Sequence, residues 1–180
     1  MDRRAFVASI PLLGATLSSI AHAAPNGPAP TGRAAQPLMV GQPPPPLHLT
    51  RLSGSDEVTL EGLAGRVVVL DFWATWCRPC RAIMPLLDSM YTRYNSQGLS
   101  IVGLSPETEG DIRAHMQRTP VRYTIARDVG GTIQAYGVRG IPMLVAIDRT
   151  GKVREVMVGV DGPAIQRLDN LVQRMLAETT

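Results

Sequence analysis

Two cysteines make up the whole thiol content of this 180-residue chain, and they stand three positions apart in Trp76-Cys77-Arg78-Pro79-Cys80. What a pair at that spacing can do depends on the backbone that carries it. Upstream, Val67-Val68-Val69-Leu70-Asp71-Phe72-Trp73 is an almost unbroken apolar run, the pattern of a strand covered on both faces. Downstream, Ile83, Leu86, Leu87, Met90, Tyr91 and Tyr94 recur at helical spacing, which predicts a helix from about residue 77 to 95. The cysteines therefore fall where a buried strand ends and a helix begins, the setting in which such a pair is redox-active. Unpaired N–H groups and the dipole at a helix start favour a thiolate, which makes Cys77 the nucleophile. Cys80 returns beside it after one turn, placed to attack a mixed disulfide and release the partner. Pro79 lies in the first turn, where a missing N–H costs little and a fixed φ suits the helix.

Other chemistries fit these residues less well. A zinc site takes about four ligands, and the chain has no third cysteine, while His48 and His115 do not stand at finger spacing. A purely structural disulfide would close a very short loop and remove little entropy from the unfolded chain. A thiol peroxidase would want Thr-x-x-Cys, whereas Thr75 stands two residues before Cys77. A module that holds partners or copper without turnover remains open, as does the direction of electron flow, because oxidants and reductants share the motif.

The elements that must position this pair can be read along the chain. Leu47 to Leu52 alternates with period two and Glu57 to Leu60 does so briefly, with Ser53-Gly54-Ser55-Asp56 between them, predicting a hairpin. Arg66 to Ala74 holds the central strand, Leu99 to Leu104 a second buried strand, and Glu109 to Arg118 a shorter polar helix. Val121 to Ile125 and Met143 to Ile147 read as further strands, the latter turning at Asp148-Arg149-Thr150-Gly151 into Lys152 to Val160. Asp161-Gly162-Pro163 opens a last helix with a cap and an early proline, and Ile165, Leu168, Leu171, Val172 and Met175 form its inner stripe. Tyr136, before Gly137, reads as core at the end of a short helix. Strands that first alternate with helices and then close in a hairpin predict an α/β domain with a mixed sheet.

With 44% hydrophobic and 18% charged residues the chain has material for one core. A net charge of +3 without any basic run, and aromatics at only 4%, argue against a nucleic-acid partner. Arg3 and Arg4 precede an apolar stretch from Ala5 to Ile20 that ends in Ala21-His22-Ala23, the pattern of an export signal over residues 1–23, cleaved after Ala23. The paired arginines are compatible with the twin-arginine route, although Asp2 stands where that signal usually has Ser or Thr. An uncleaved anchor is the competing reading. A spanning helix wants about 20 mainly apolar residues, and Ser9, Pro11, Gly14, Thr16, Ser18 and Ser19 interrupt this one. Removing residues 1–23 leaves a nearly neutral domain of charge +2. Residues 24–46 are rich in Pro, Ala and Gly and end in Pro43-Pro44-Pro45-Pro46, predicting an extended spacer before a domain over residues 47–180. An export signal places the thiols where disulfides persist, in the periplasm or another extracytoplasmic space.

The run from Val68 through Cys80 resembles the active-site signature of the thioredoxin superfamily, especially its exported TlpA/ResA-like branch. Two further matches lie far from it. Pro85, eight residues past Cys77, corresponds to the proline inside the family's active-site helix, and Gly140-Ile141-Pro142 to its cis-proline loop. The resemblance spans about Leu47 to Ala177. It implies a thioredoxin fold, a mixed central sheet flanked by helices, here with an N-terminal β-hairpin extension. It implies an enzyme that exchanges disulfides with protein substrates, most simply as a reductant fed by a membrane thiol–disulfide shuttle. The chain is expected to be a monomer and to need no cofactor beyond the Cys77–Cys80 disulfide. Ile141 and Pro142, with Trp76, would form the surface that receives substrate, the Ile141 backbone pairing with an extended peptide. Asp71 would lie beneath the cysteines and move the proton of Cys80, for which a raised pKa suits a general base. The bland alternative is a carboxylate that ends its strand in solvent. Trp73 and Trp76 otherwise read as packing aromatics, and Arg78 and Arg81 as charges beside Cys77 or as solvated surface. Met143 departs from the Thr, Ala or Glu usual after the family's proline, which weakens an assignment to cytochrome maturation.

Overall fold

The computed structural model describes residues 38–178 apart from Ser55. The expected export signal, and the spacer up to residue 37, lie outside the described residues. The apolar run before the cysteines forms β3, Val67–Phe72, and all six of its residues are buried. It can be buried on both sides because it sits inside the sheet, in the order β2-β1-β5-β4-β3-β6-β7. The outer pair is the predicted hairpin, β1 (Leu49–Arg51) and β2 (Glu57–Val58), paired antiparallel.

A parallel neighbour requires a crossover, supplied here by helix α1 (Arg78–Tyr94), which carries the chain to β4 (Leu99–Ser105) beside β3. Helix α2 (Glu109–Arg118) leads to β5 (Thr124–Asp128), parallel to β4, and the short α3 is Thr132–Ala135. Strand β6 (Met143–Ile147) pairs antiparallel with β3 and with β7 (Val153–Val158), and α4 (Gly162–Ala177) completes the fold. This is the expected mixed sheet with flanking helices and a hairpin at one edge.

Alternation along β3 splits the core. Val67, Val69 and Trp73 belong to the cluster packed under α1 and α4, while Val68, Leu70 and Phe72 belong to the one on the opposite face. Asp71 shares the parity of Val69 and Trp73, so its side chain faces the layer that holds both cysteines. The whole predicted stripe of α4 is buried, and its start is capped by Asp161, which accepts from Ala164 N–H at 2.9 Å.

Three local expectations change. Strand β5 runs three residues later than Val121 to Ile125, because the Arg122 N–H is taken by the Asp88 carboxylate, whereas Ala126 to Asp128 pair with β1. On α1, Leu86 is 43% exposed and Met84 is buried in its place, since the buried arc runs through Cys80, Ile83, Met84, Leu87 and Met90. The end of the presumed spacer is not free of hydrogen bonds. Gly41 N–H donates to Val153 C=O at 2.7 Å, Val153 N–H to Gln42 C=O at 2.9 Å, and the Tyr136 hydroxyl to Pro45 C=O at 2.7 Å.

Candidate active site

Cys77 is the N-cap of α1, in an extended conformation, and its sulfur accepts from Cys80 N–H at 3.2 Å. The two sulfurs are joined in a disulfide with Cα atoms 5.3 Å apart. The pair is asymmetric: Cys77 is 4% exposed and Cys80 is fully buried. Of the two, only Cys77 offers any surface to an incoming sulfur. The cap position also aims the unpaired N–H groups of the first turn at Cys77, the arrangement that stabilises a thiolate when the bond is opened.

The loop leading into the helix is held by a residue that the sequence analysis missed. Thr75 donates its N–H and its hydroxyl to the two Glu107 carboxylate oxygens, each at 2.6 Å, and Ser105 adds its hydroxyl at 3.1 Å. Glu107 follows the C-terminal end of β4, which is parallel to β3, so both chain ends emerge on the same side of the sheet. A carboxylate just past a second buried strand was the available signal for it.

Asp71 is fully buried, which excludes the reading of a strand-end carboxylate in solvent. Its Oδ2 accepts from the Tyr123 hydroxyl at 3.4 Å, and its Oδ1 has no partner among the described residues. Burial pushes its pKa up to about 7, with the Tyr123 hydrogen bond pulling the other way. The tyrosine itself is pushed well above its ordinary value by burial and by facing Asp71, so it remains a donor. Behind the site, the buried His115 packs its ring 5.4 Å from that of Trp73, and neither His115 Nε2 nor Trp73 Nε1 has a partner among the described residues. Burial first, then the charges of Arg118 and Arg81, hold His115 below its usual value, with Glu107 opposing them.

The peptide bond between Ile141 and Pro142 is cis. Phe72 is in register with Met143, so Pro142 sits beside the end of β3, where the cysteine loop begins. Pro142 is buried and its carbonyl accepts from Gly159 N–H at 3.0 Å, while Ile141 is half-buried against the cluster that contains both cysteines. The two tryptophans part ways: Trp73 is core, but Trp76 is 71% exposed next to Cys77 and is not a packing residue. Arg78 and Arg81 are exposed. The fold thus gathers Cys77, Cys80 and Ile141 in one cluster and turns Asp71 toward the same layer. Trp76 stands out from the surface.

Comparison with known proteins agrees with this arrangement. The AhpC/TSA family matches residues 40–156. A relative named thiol-disulfide oxidoreductase ResA, from Bacillus thuringiensis, is 33% identical over 68% of this chain and 71% of its own length. One of the same name from Geobacillus thermodenitrificans is 32% identical over the same shares. Among solved structures, a thiol:disulfide interchange protein given the name DsbE, from Chlorobium tepidum, superposes with a TM-score of 0.73 at 34% identity. That match covers 77% of this chain and 99% of the other. A second interchange protein from Chlorobium tepidum, of the thioredoxin family, gives 0.66 at 26% identity, covering 79% and 98%. With an extended family match, relatives of this identity and a shared fold, the chain belongs to the AhpC/TSA family of the thioredoxin superfamily.

Proposed function

We propose that this protein is a thiol–disulfide oxidoreductase that reduces disulfides of protein substrates outside the cytoplasm. The observation that carries the reading is the asymmetry of the pair, with Cys77 slightly exposed as the cap of α1 and Cys80 one turn away and fully buried.

In the reduced protein the Cys77 thiolate attacks one sulfur of a substrate disulfide, forming a mixed disulfide and expelling the other substrate sulfur as a thiolate. The Cys80 thiol gives its proton to Asp71, and the resulting thiolate attacks the Cys77 sulfur. The Cys77–Cys80 bond forms, the mixed disulfide breaks, and the second substrate sulfur leaves. Two electrons pass to the substrate and the protein ends oxidised. A membrane thiol–disulfide shuttle on the same side is the donor that fits a domain exported behind the signal proposed for residues 1–23; among the described residues no helix is long and apolar enough to cross a membrane. Trp76, Ile141 and Pro142 form the receiving surface, Ile141 offering its backbone to an extended peptide. A peroxidase reading is disfavoured because Thr75 stands two residues before Cys77, where a Thr-x-x-Cys site places it three before.

Turnover of insulin disulfides with dithiothreitol as reductant tests the reading. The parent protein is expected to be active, Cys77→Ser to lose at least about 10³-fold, and Cys80→Ser to accumulate the mixed disulfide. An inactive parent would refute the enzyme. Equilibration with glutathione fixes the direction: a potential near −270 mV supports a reductant and one near −120 mV an oxidant, to order of magnitude.

A further inference from the structure

Gly103 on β4 is in register with Asp71, and a side chain there would crowd its neighbours. A Cβ would fall 2.8 Å from Ile125 Cδ1, 3.2 Å from Trp73 Nε1 and 3.2 Å from Tyr123 Cε2. The space a side chain would take is shared by Ile125, Trp73 and the ring of Tyr123. That ring comes from a residue 52 positions away in the chain and brings its hydroxyl 3.4 Å from Asp71 Oδ2. Tyr123 also lines a surface cavity of about 550 Å³, together with Tyr91, Met116 and Arg122. One residue therefore spans from an open cavity to a fully buried carboxylate.

We infer that Tyr123 is a positioning residue for disulfide exchange: it anchors Oδ2 of Asp71, leaves Oδ1 as the oxygen that takes the Cys80 proton, and partitions the carboxylate from the cavity. The inference rests on the role of Asp71 proposed above. In the step concerned, the Cys80 S–H bond breaks, the proton goes to Oδ1, and the sulfur lone pair forms the bond to Cys77 as the substrate thiolate departs. No other oxidant or reductant is involved. The surroundings hold few competing charges. The cross-strand partners of Asp71 are Gly103 and Leu144, neither of them titratable. From α1, Cys80 faces the same layer, and Asp88 acts on Tyr123 while paired to Arg122. From α2, His115 lies behind Trp73.

Two variants of the full chain move Asp71 in opposite directions. Tyr123→Phe keeps the ring and removes the donor, so the carboxylate loses its one hydrogen bond while staying buried. Its titration, followed by the carboxyl ¹³C shift, is expected to rise by about one pH unit, and single-turnover resolution by Cys80 at pH 7 to slow about fivefold. Tyr123→Ala opens the partition to the cavity, and because burial is the larger influence on Asp71, its titration is expected to fall below that of the parent. A ring that merely packs predicts no change in Tyr123→Phe, and that result overturns the inference. So does a rise in Tyr123→Ala. Should the alanine variant not fold, Tyr123→Phe decides alone. Parent turnover of insulin together with an unshifted Tyr123→Phe sinks this inference and leaves the oxidoreductase standing; an inactive parent sinks both.

Discussion

Asp71 and Asp148 are both buried aspartates, and they stand at opposite ends of the antiparallel pair formed by β3 and β6. Asp148 closes the turn after β6. Its Oδ1 accepts from Thr150 N–H at 2.9 Å, the Thr150 hydroxyl at 2.6 Å and Lys152 N–H at 3.1 Å, and Arg154 reaches Oδ2 at 3.4 Å. Those donors outweigh burial and hold its pKa below the ordinary carboxylate value. Among the described residues Asp71 has one long hydrogen bond and an unpartnered Oδ1, and burial drives it up to about 7. Burial alone does not raise a carboxylate's pKa; burial with too few donors does. The turn end of the sheet satisfies its carboxylate and gains stability, whereas the cysteine end leaves one unsatisfied and gains a group that titrates near neutrality.

The sharpest way to break this contrast is Asp71→Asn. With the unfolded value at 3.8 and the folded value near 7, the native state holds a proton across that interval that the unfolded chain has released. The associated stability is fully present below about pH 4 and is lost as pH rises through 7, a swing on the order of 4 kcal/mol. Asparagine stays neutral, so the variant should lose this component of the pH profile and exceed the parent in stability above pH 7. At pH 7 and above, where the parent's Asp71 is ionised, its resolution step should slow by about 10²-fold or more, and the difference should shrink as pH falls below 7. Chemical denaturation across pH together with single-turnover kinetics checks both. A variant less stable than its parent at pH 8 would mean that Asp71 is a structural anion.

Asp148→Asn should do the reverse. Its carboxylate is held below the unfolded value, so its contribution is present above that value and lost as pH falls through the depressed one. At neutral pH the substitution should cost about 2 kcal/mol, as for the loss of charge-assisted hydrogen bonds, and insulin turnover by the folded protein should not change. Urea titration at pH 7 and at pH 3 measures the difference, which should shrink at the lower pH.

What the sequence made legible at the cysteine end was local. The apolar run of β3, the spacing of Cys77 and Cys80, the helix start and the odd placement of Asp71 all lie within one stretch of chain, where periodicity and capping speak directly. Glu107, Gly103 and Tyr123 did not stand out, because each acquires its meaning from register. Gly103 matters only once it is opposite Asp71, and Tyr123 reads as ordinary core until its hydroxyl is seen to reach a carboxylate. The same reason moved β5: its last residues are fixed by β1, far away in sequence. Trp73 and Trp76 looked alike because the loop between strand and helix has no period to assign them a side, and only the fold turns one inward and the other out.

Tyr136 supplies the smallest and cleanest test of the contrast, because it is the buried hydroxyl of the opposite face as Tyr123 is of the cysteine face. Its ring packs 5.4 Å from Phe72 and its hydroxyl donates to Pro45 C=O at 2.7 Å, so it ties the end of the proline run to the core. Tyr136→Phe keeps the ring contact and strands a carbonyl next to a half-buried surface, a loss of about 1 kcal/mol and of roughly 3 °C in Tm for a domain of this size. Because this hydroxyl meets a neutral carbonyl and no titrating group, the loss should be the same at pH 5 and pH 8. Substituting phenylalanine for the two tyrosines in turn thus separates their jobs. At position 136 it should lower Tm and leave every pH midpoint in place; at position 123 it should shift the midpoint of Asp71. A pH-dependent loss at position 136 would show that the quiet face is coupled to the redox site after all.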